Sequence, residues 1–232
     1  MTFEIHPLIG IGAVSKGEDV ATILIPSMEP LAPASGDIVV VTHKIVSKAE
    51  GAVRKVVGDE EEFKRRLVED EAVSIVRRRG GLIIAETKHG FICANAGIDR
   101  SNAEPGTVIL LPEDPDRSAH RIRLRLEQHF NVSLSVIISD TFGRPWRRGL
   151  TDVAIGVSGM LPILDLKGTT DWVGRELEVS EIAVADELAA AADLVMGKAS
   201  GIPAALIRGY KVPPGEGRAK DLVRPANEDM FR

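Results

Sequence analysis

The chain has 232 residues, of which 44% are hydrophobic and 27% charged, and its net charge is −5. That length can bury one large core or two modest lobes. The acidic balance argues against a general affinity for nucleic acid, and the lone cysteine, Cys93, excludes an intrachain disulfide or a multi-cysteine zinc site.

The amino terminus, MTFEIHPLIGIG, carries Glu4 early and has no basic stretch ahead of a long apolar run, unlike a secretory leader. Charges interrupt every apolar run before the roughly 20 residues that a bilayer span needs. A soluble, cytoplasmic protein with no membrane partner is therefore expected. Residues 37–47, DIVVVTHKIVS, are rich in β-branched side chains and predict a buried strand after the turn-like PASG at 33–36, with Lys48 just beyond it. From Asp59 to Arg79 apolar residues recur at near-helical spacing, acids first and arginines last, which predicts one or two amphipathic helices ending at Gly80-Gly81.

Strands are expected at 82–86, 91–94 and 107–111. Asp114-Pro115 supplies a cap and a first turn for a helix over 115–130, followed by a strand at 133–139 that Asp140 ends. Small residues fill 152–160, DVAIGVSGM, where glycine permits close backbone approach. The segment 176–197 begins strand-like and becomes an Ala-rich helix stopped by Gly197, and the strand AALIRG follows at 204–209. From Pro213 the chain reads as a surface extension able to order on a partner or substrate. Strands and helices mix without regular βαβ spacing, so the expected fold is α/β or α+β, with mixed or antiparallel sheets flanked by helices rather than a Rossmann fold.

Two segments concentrate chemistry, ANAGIDRSN at 94–102 and VIISDTFGRPWRRG at 136–149. Each sets an aspartate, Asp99 or Asp140, after an apolar stretch and among small oxygen-bearing residues, the donors that hard divalent cations prefer. Thr141 adds an oxygen. Turn capping is the plainer reading of Asp99 and Asp140, and both readings stay open. Arg144, Arg147 and Arg148 around Trp146 suit an anion clamp or a solvated turn. No P-loop or G-x-G-x-x-G signature is present, so any triphosphate must be held by other glycine turns, lysines and metal. The histidines show no metal-binding spacing, and Cys93 reads as core rather than nucleophile.

Together KIVSKAEG at 44–51, NAGIDRSN at 95–102, SDTFGRPWRRG at 139–149, GRELEVSEIAVADELAAAADLVMGK at 174–198 and GIPAALIRG at 201–209 resemble the coenzyme F420-0:L-glutamate ligase family. The resemblance implies one catalytic unit over 1–232, with two intimately packed lobes and an intertwined homodimer. It implies GTP-dependent activation of the lactyl carboxylate of F420-0 and joining of L-glutamate through an amide, with further γ-linked glutamates in some members. GTP is the co-substrate, and two divalent cations, Mn²⁺ or Mg²⁺, assist together with K⁺.

Carried over by motif, Asp99 and Asp140 would ligate one cation and Thr141 would contact the second. GTP contacts would come from Gly12, Ala13, Val14, Ser15, His43, Lys44, Lys48, Asn102, Gly197, Lys198, Ala199, Ser200 and Gly201, with the three arginines left for substrate anions. The early loop departs from the family's Pro-Leu-Ile-Lys form, with Lys16 as the candidate replacement, and His43-Lys44 stands where small hydroxyl residues occur. The chain stops at Arg232 and resembles the form without a C-terminal flavin domain, which implies short glutamate tails. Two other classes fit the same residues: a non-catalytic deazaflavin- or nucleotide-binding protein, and an amide ligase acting on another phosphorylated acid.

Overall fold

A computed structural model describes residues 2–230. In chain order it contains β1 (Glu4–Pro7), α1 (Val20–Met28), β2 (Ile38–Thr42), α2 (His43–Glu50), β3 (Val53–Lys55), α3 (Glu60–Glu71), β4 (Ala72–Arg79) and β5 (Leu82–Thr87). There follow β6 (Ile92–Ala94), β7 (Thr107–Ile109), α4 (Pro115–Phe130), β8 (Ser135–Arg144), β9 (Arg147–Ser158), β10 (Leu164–Asp165), β11 (Glu181–Ile182), α5 (Val184–Met196) and β12 (Ala204–Arg208). The architecture is mixed α/β, as its sequence pattern predicts.

The main sheet has the order β1-β12-β2-β8-β9. Only β2 and β8 run parallel in it, and their pairing carries Ile38 to Thr42 along Ser135 to Ser139. Both strands are apolar on both faces because helices cover both sides. Val39, Val41, Val136 and Ile138 face α1, α2 and α4, whereas Ile38, Val40 and Ile137 face α5. A third core, formed by Val68, Ile83, Ala85, Ile98, Val108 and Leu110, belongs to a smaller lobe of α3, the β4-β5-β6 sheet and the β3-β7 pair. The chain enters that lobe after α2 and leaves it before α4.

Two expected elements change type. The strand predicted over 37–47 ends at Thr42, and His43–Glu50 is helical. A parallel strand needs a crossover connection, and KIVSKAE has enough helix formers to begin it at once. Gly51, at φ 76, closes α2 in the left-handed region. Likewise the helix begun by the Asp59 cap stops at Glu71, and Ala72–Arg79 is a strand paired with β5. The β-branched Val73, Ile75 and Val76 favour extension, and Gly80 at φ 58 turns the hairpin.

Helix α4 begins where expected, with the Asp114 carboxylate accepting from Arg117 N at 2.9 Å and Pro115 in its first turn. It lies against β9 so closely that a Cβ on Gly156 would sit 2.5 Å from the carbonyl oxygen of Pro115. This is the close approach expected of 152–160. The segment from Pro213, expected as a surface extension, is instead anchored. Gly217 N donates to Met160 O at 3.0 Å, Ala219 N donates to Asp116 Oδ1 at 2.9 Å, and Ala219 is buried. Its last two residues, 231 and 232, lie outside the described residues.

Candidate active site

The C-terminal ends of the parallel pair β2 and β8 mark one edge of the main sheet, where α/β proteins commonly form their binding crevice. The antiparallel partners β1 and β12 place the loop after Pro7 and the loop before Ala204 at the same edge. A cleft of about 290 Å³ opens there. Its walls include Gly12 and Ala13 from the first loop, Thr42 and Lys44 at the start of α2, Lys48 in its last turn, Asn102, Thr141 and Asp152. Asp193, Gly197, Lys198 and Gly201 close the far side.

The sequence-predicted set divides at this cleft. Gly12, Ala13, Lys44, Lys48, Asn102, Thr141, Gly197, Lys198 and Gly201 line it. Val14 is buried in the core below, and Ser15 N is bonded to the Glu18 carboxylate at 2.5 Å. Ala199 and Ser200 are exposed, with Ser200 Oγ turned to the carbonyl of Met196. The Lys16 stem lies over Gly51, at the C-terminal end of α2 and away from the cleft walls, so it does not replace a cleft lysine in this conformation.

Arg144, Arg147 and Arg148 stand on the exposed β8-β9 hairpin, where Arg144 Nη2 donates to Arg148 O at 2.7 Å. Strand β8 runs on to Arg144, so Asp140 lies within it rather than at its end. A larger cleft of about 410 Å³, with Phe91, Phe142, Trp146 and Leu222 in mostly apolar walls, lies on the other face of these strands. Alternation along β8 and β9 sends Thr141 and Asp152 to the smaller cleft and Phe142 and Val153 to the larger. Lys44, Lys48 and Lys198 line the smaller cleft, whereas Arg224 is the cationic side chain in the wall of the larger one.

Neither Asp99 nor Asp140 forms the immediate wall. Asp99 follows a 3₁₀ turn and is bridged through its backbone to Ile109. Its Oδ2 lies 2.8 Å from Lys44 Nζ, and its Oδ1 accepts from Ser101 N at 2.7 Å. Burial alone would raise this carboxyl, but the Lys44 and Ser101 hydrogen bonds and the lysine charge outweigh it and hold Asp99 at about 2. Lys48 Nζ donates to Asn102 O at 2.7 Å, so both lysines fasten the 99–102 turn to α2. Asp140 Oδ1 accepts from Thr141 N at 2.7 Å and lies 3.2 Å from His43 Nε2.

Since the folded pKa of Asp99 is depressed, its ionised form stabilises the fold above the unfolded carboxylate pKa, and that contribution disappears as pH falls through about 2. Lys44→Met is expected to return the carboxyl to the ordinary range or above it. Stability curves by chemical denaturation between pH 5 and pH 2 then show a shallower acid slope for the variant; superimposable slopes would refute the pairing.

Sequence reading missed Asp152. It is buried on β9 directly across from Thr141, and it accepts Thr141 Oγ1 at 2.7 Å and Ser139 Oγ at 2.8 Å. Burial raises its pKa, the two hydroxyls oppose that, and the charges of Asp193 and Asp140 add to the rise. The signal was present: GRPWRRG joins two apolar runs, and reading it as a hairpin sets Asp152 opposite Thr141.

Among the described residues, no three His, Cys, Asp or Glu side chains form a ready-made metal cluster. The donors nonetheless suit a hard cation of the Mg²⁺ type, which takes one or two carboxylates and fills its shell with water and phosphate oxygens.

A family model described as F420-0:Gamma-glutamyl ligase matches residues 9–209. The chain belongs to this family. Family members similar to it include the coenzyme F420:L-glutamate ligase of Methanocaldococcus jannaschii, 45% identical over 85% of each chain. The ligase of the same name from Methanothermobacter thermautotrophicus is 45% identical over 96% of each chain. That of Methanopyrus kandleri is 42% identical over 100% of this chain and 98% of its own. The family match spans every cleft-lining segment, from the Gly12 loop to the turn before β12.

Proposed function

We propose that this protein joins L-glutamate to the lactyl carboxylate of F420-0 in a GTP-dependent reaction that passes through an acyl phosphate. One observation carries the GTP reading: the N-terminus of α2 has no side-chain cap at Thr42 and opens on a cleft that also holds Lys44, Lys48 and Lys198. Unpaired helix N–H groups and ammonium groups together favour a polyphosphate. The glycine turns around Gly12 and Gly201 supply backbone for the rest of the nucleotide.

A carboxylate repels nucleophiles, so it must first gain a leaving group. Its oxygen attacks the γ-phosphorus and GDP leaves; the glutamate amine then attacks the acyl carbon, phosphate leaves, and the ammonium proton is released to solvent. Lys44, Lys48 and Lys198 offset the phosphate charge and hold the chain of phosphates in line. Asp99 and Asp140, with Thr141, would hold two divalent cations, whose chemistry is to neutralise charge on the transferring phosphoryl group. K⁺ is kept as a further activator on the resemblance alone.

No enzyme nucleophile is required. Cys93 is buried with its thiol pushed up to about 12 by burial and by the nearby Asp140 charge, and Ser47 is wholly buried. The homodimer belongs to the same proposal. Supporting it are exposed apolar residues on β4, β5 and the β8-β9 hairpin, among them Val73, Leu82, Trp146 and Leu150.

Hydroxylamine supplied in place of glutamate tests the intermediate. With GTP and F420-0 the expected product is the hydroxamate of F420-0, formed only when GTP is present. GTP consumption that yields no hydroxamate would contradict the acyl phosphate.

A further inference from the structure

His43 is the first residue of α2, and its side chain is fully buried. Its Nδ1 lies 3.3 Å from Ser47 Oγ, one helical turn on, and its Nε2 lies 3.2 Å from Asp140 Oδ1 on β8. The Nε2 contact is close but poorly aligned, and no hydrogen bond satisfies this nitrogen. A buried ring nitrogen left without a bond destabilises the fold, since its desolvation is not offset. Other aromatic or aliphatic residues would fill the volume without that cost, so packing does not account for a histidine here.

Chemistry assigns the tautomer. Asp140 as a carboxylate only accepts, so the proton belongs on Nε2, and the Ser47 hydroxyl donates to Nδ1. Serine, histidine and aspartate thus stand in a row, but the serine and the histidine are both fully buried, so the row cannot serve as a nucleophilic relay. What it can do is fix one carboxylate oxygen. Thr141 N reaches the same Oδ1 at 2.7 Å, leaving Oδ2 as the oxygen without an assigned donor.

We propose that His43 is a positioning residue: it turns the Asp140 carboxylate so that Oδ2 is presented for cation binding, and Ser47 holds the ring in the tautomer that does so. This rests on the reading of Asp140 as a cation ligand and gives His43 a role through its side chain, distinct from the nucleotide contact expected of it from sequence. Groups that orient a ligating carboxylate or histidine typically change metal affinity by about 10–100-fold when removed.

The test is a titration of the full-length protein with Mn²⁺ alone, read by the electron paramagnetic resonance signal of free Mn²⁺, for wild type, Asp140→Asn, His43→Leu, His43→Gln and Ser47→Ala. His43→Leu keeps the bulk and loses the donor; it is expected to weaken Mn²⁺ binding by about tenfold or more. His43→Gln keeps an N–H donor and is expected to recover most of that loss, which a purely packing role would not give. Ser47→Ala, which removes no group near Asp140, is expected to fall between wild type and His43→Leu.

Unchanged Mn²⁺ binding by Asp140→Asn would overturn the cation reading itself. Weakened binding by Asp140→Asn with wild-type binding by His43→Leu would overturn the positioning role alone. Equal losses in His43→Leu and His43→Gln would assign the effect to packing and overturn it too. Should His43→Leu fail to fold, wild-type binding by Ser47→Ala or a full loss by His43→Gln overturns the proposal.

Discussion

Asp140→Asn is expected to lower the rate of GTP-dependent glutamate addition by about a thousandfold while leaving the fold intact. Stabilising charge on a transferring phosphoryl group is worth several kcal/mol, and a loss of about 4 kcal/mol is a factor of about a thousand. Asparagine keeps the shape and the oxygen that accepts Thr141 N at 2.7 Å, so the β8-β9 ladder stays in place. The substitution removes the charge and replaces the other oxygen, the one offered to the cation, with an NH2 group that cannot ligate it. Asp140 is buried beside His43, and its charge also bears on Cys93. Steady-state GDP release and product mass would both be measured, together with the melting temperature. Activity within tenfold of wild type in a folded variant would remove Asp140 from the chemistry.

The largest effect on stability is expected far from the cleft, at the Asp37–Arg208 pair that ties the start of β2 to the end of β12. Asp37 is 2% exposed and accepts Arg208 Nε at 2.9 Å and Ala34 N at 2.9 Å. Arg208 also donates to the carbonyls of Leu31 and Ala32. Arg208→Met therefore leaves a buried carboxylate without its cation and the Leu31 carbonyl without its donor. Breaking a buried pair from one side costs about 3–5 kcal/mol, and since the arginine side chain is 33% exposed the lower end applies. For a chain of this size about 3 kcal/mol corresponds to a melting temperature roughly 6–12 °C lower.

Asp37→Leu combined with Arg208→Met is expected to recover more than half of the loss, because the stranded charge is gone. A single variant that melts within 2 °C of wild type, or a double variant no better than the single, would show that the pair is not what holds this corner.

What could be read from the sequence follows from how local each signal is. The run IVVVT, the Asp114-Pro115 start of α4 and the Gly197 stop of α5 are set by neighbouring residues, and all three stand where expected. His43–Glu50 and Ala72–Arg79 changed type because tertiary context decided them. The first is a crossover forced by a parallel strand, and the second an arginine-rich strand whose hairpin partner lies beyond Gly80-Gly81.

The site shows the same division. Lys44, Lys48, Asn102 and the 197–201 turn reach one cleft from three separate regions, and only the family resemblance related them beforehand. Asp152 was missed because its role lies in a cross-strand register, which composition does not express. The orientation of side chains on a single turn was equally hidden: Gly12 and Ala13 face the cleft, whereas Val14 packs into the core.

A GTP-driven ligase at the α2 cleft is put to the test by the product mass of F420-0 incubated with the protein, L-glutamate, GTP and Mn²⁺, beside reactions lacking each component. A mass gain of one or more glutamate residues that requires GTP is the predicted result. Well-folded protein loaded with Mn²⁺ that leaves the mass of F420-0 unchanged, or that adds glutamate without a nucleotide, would contradict it.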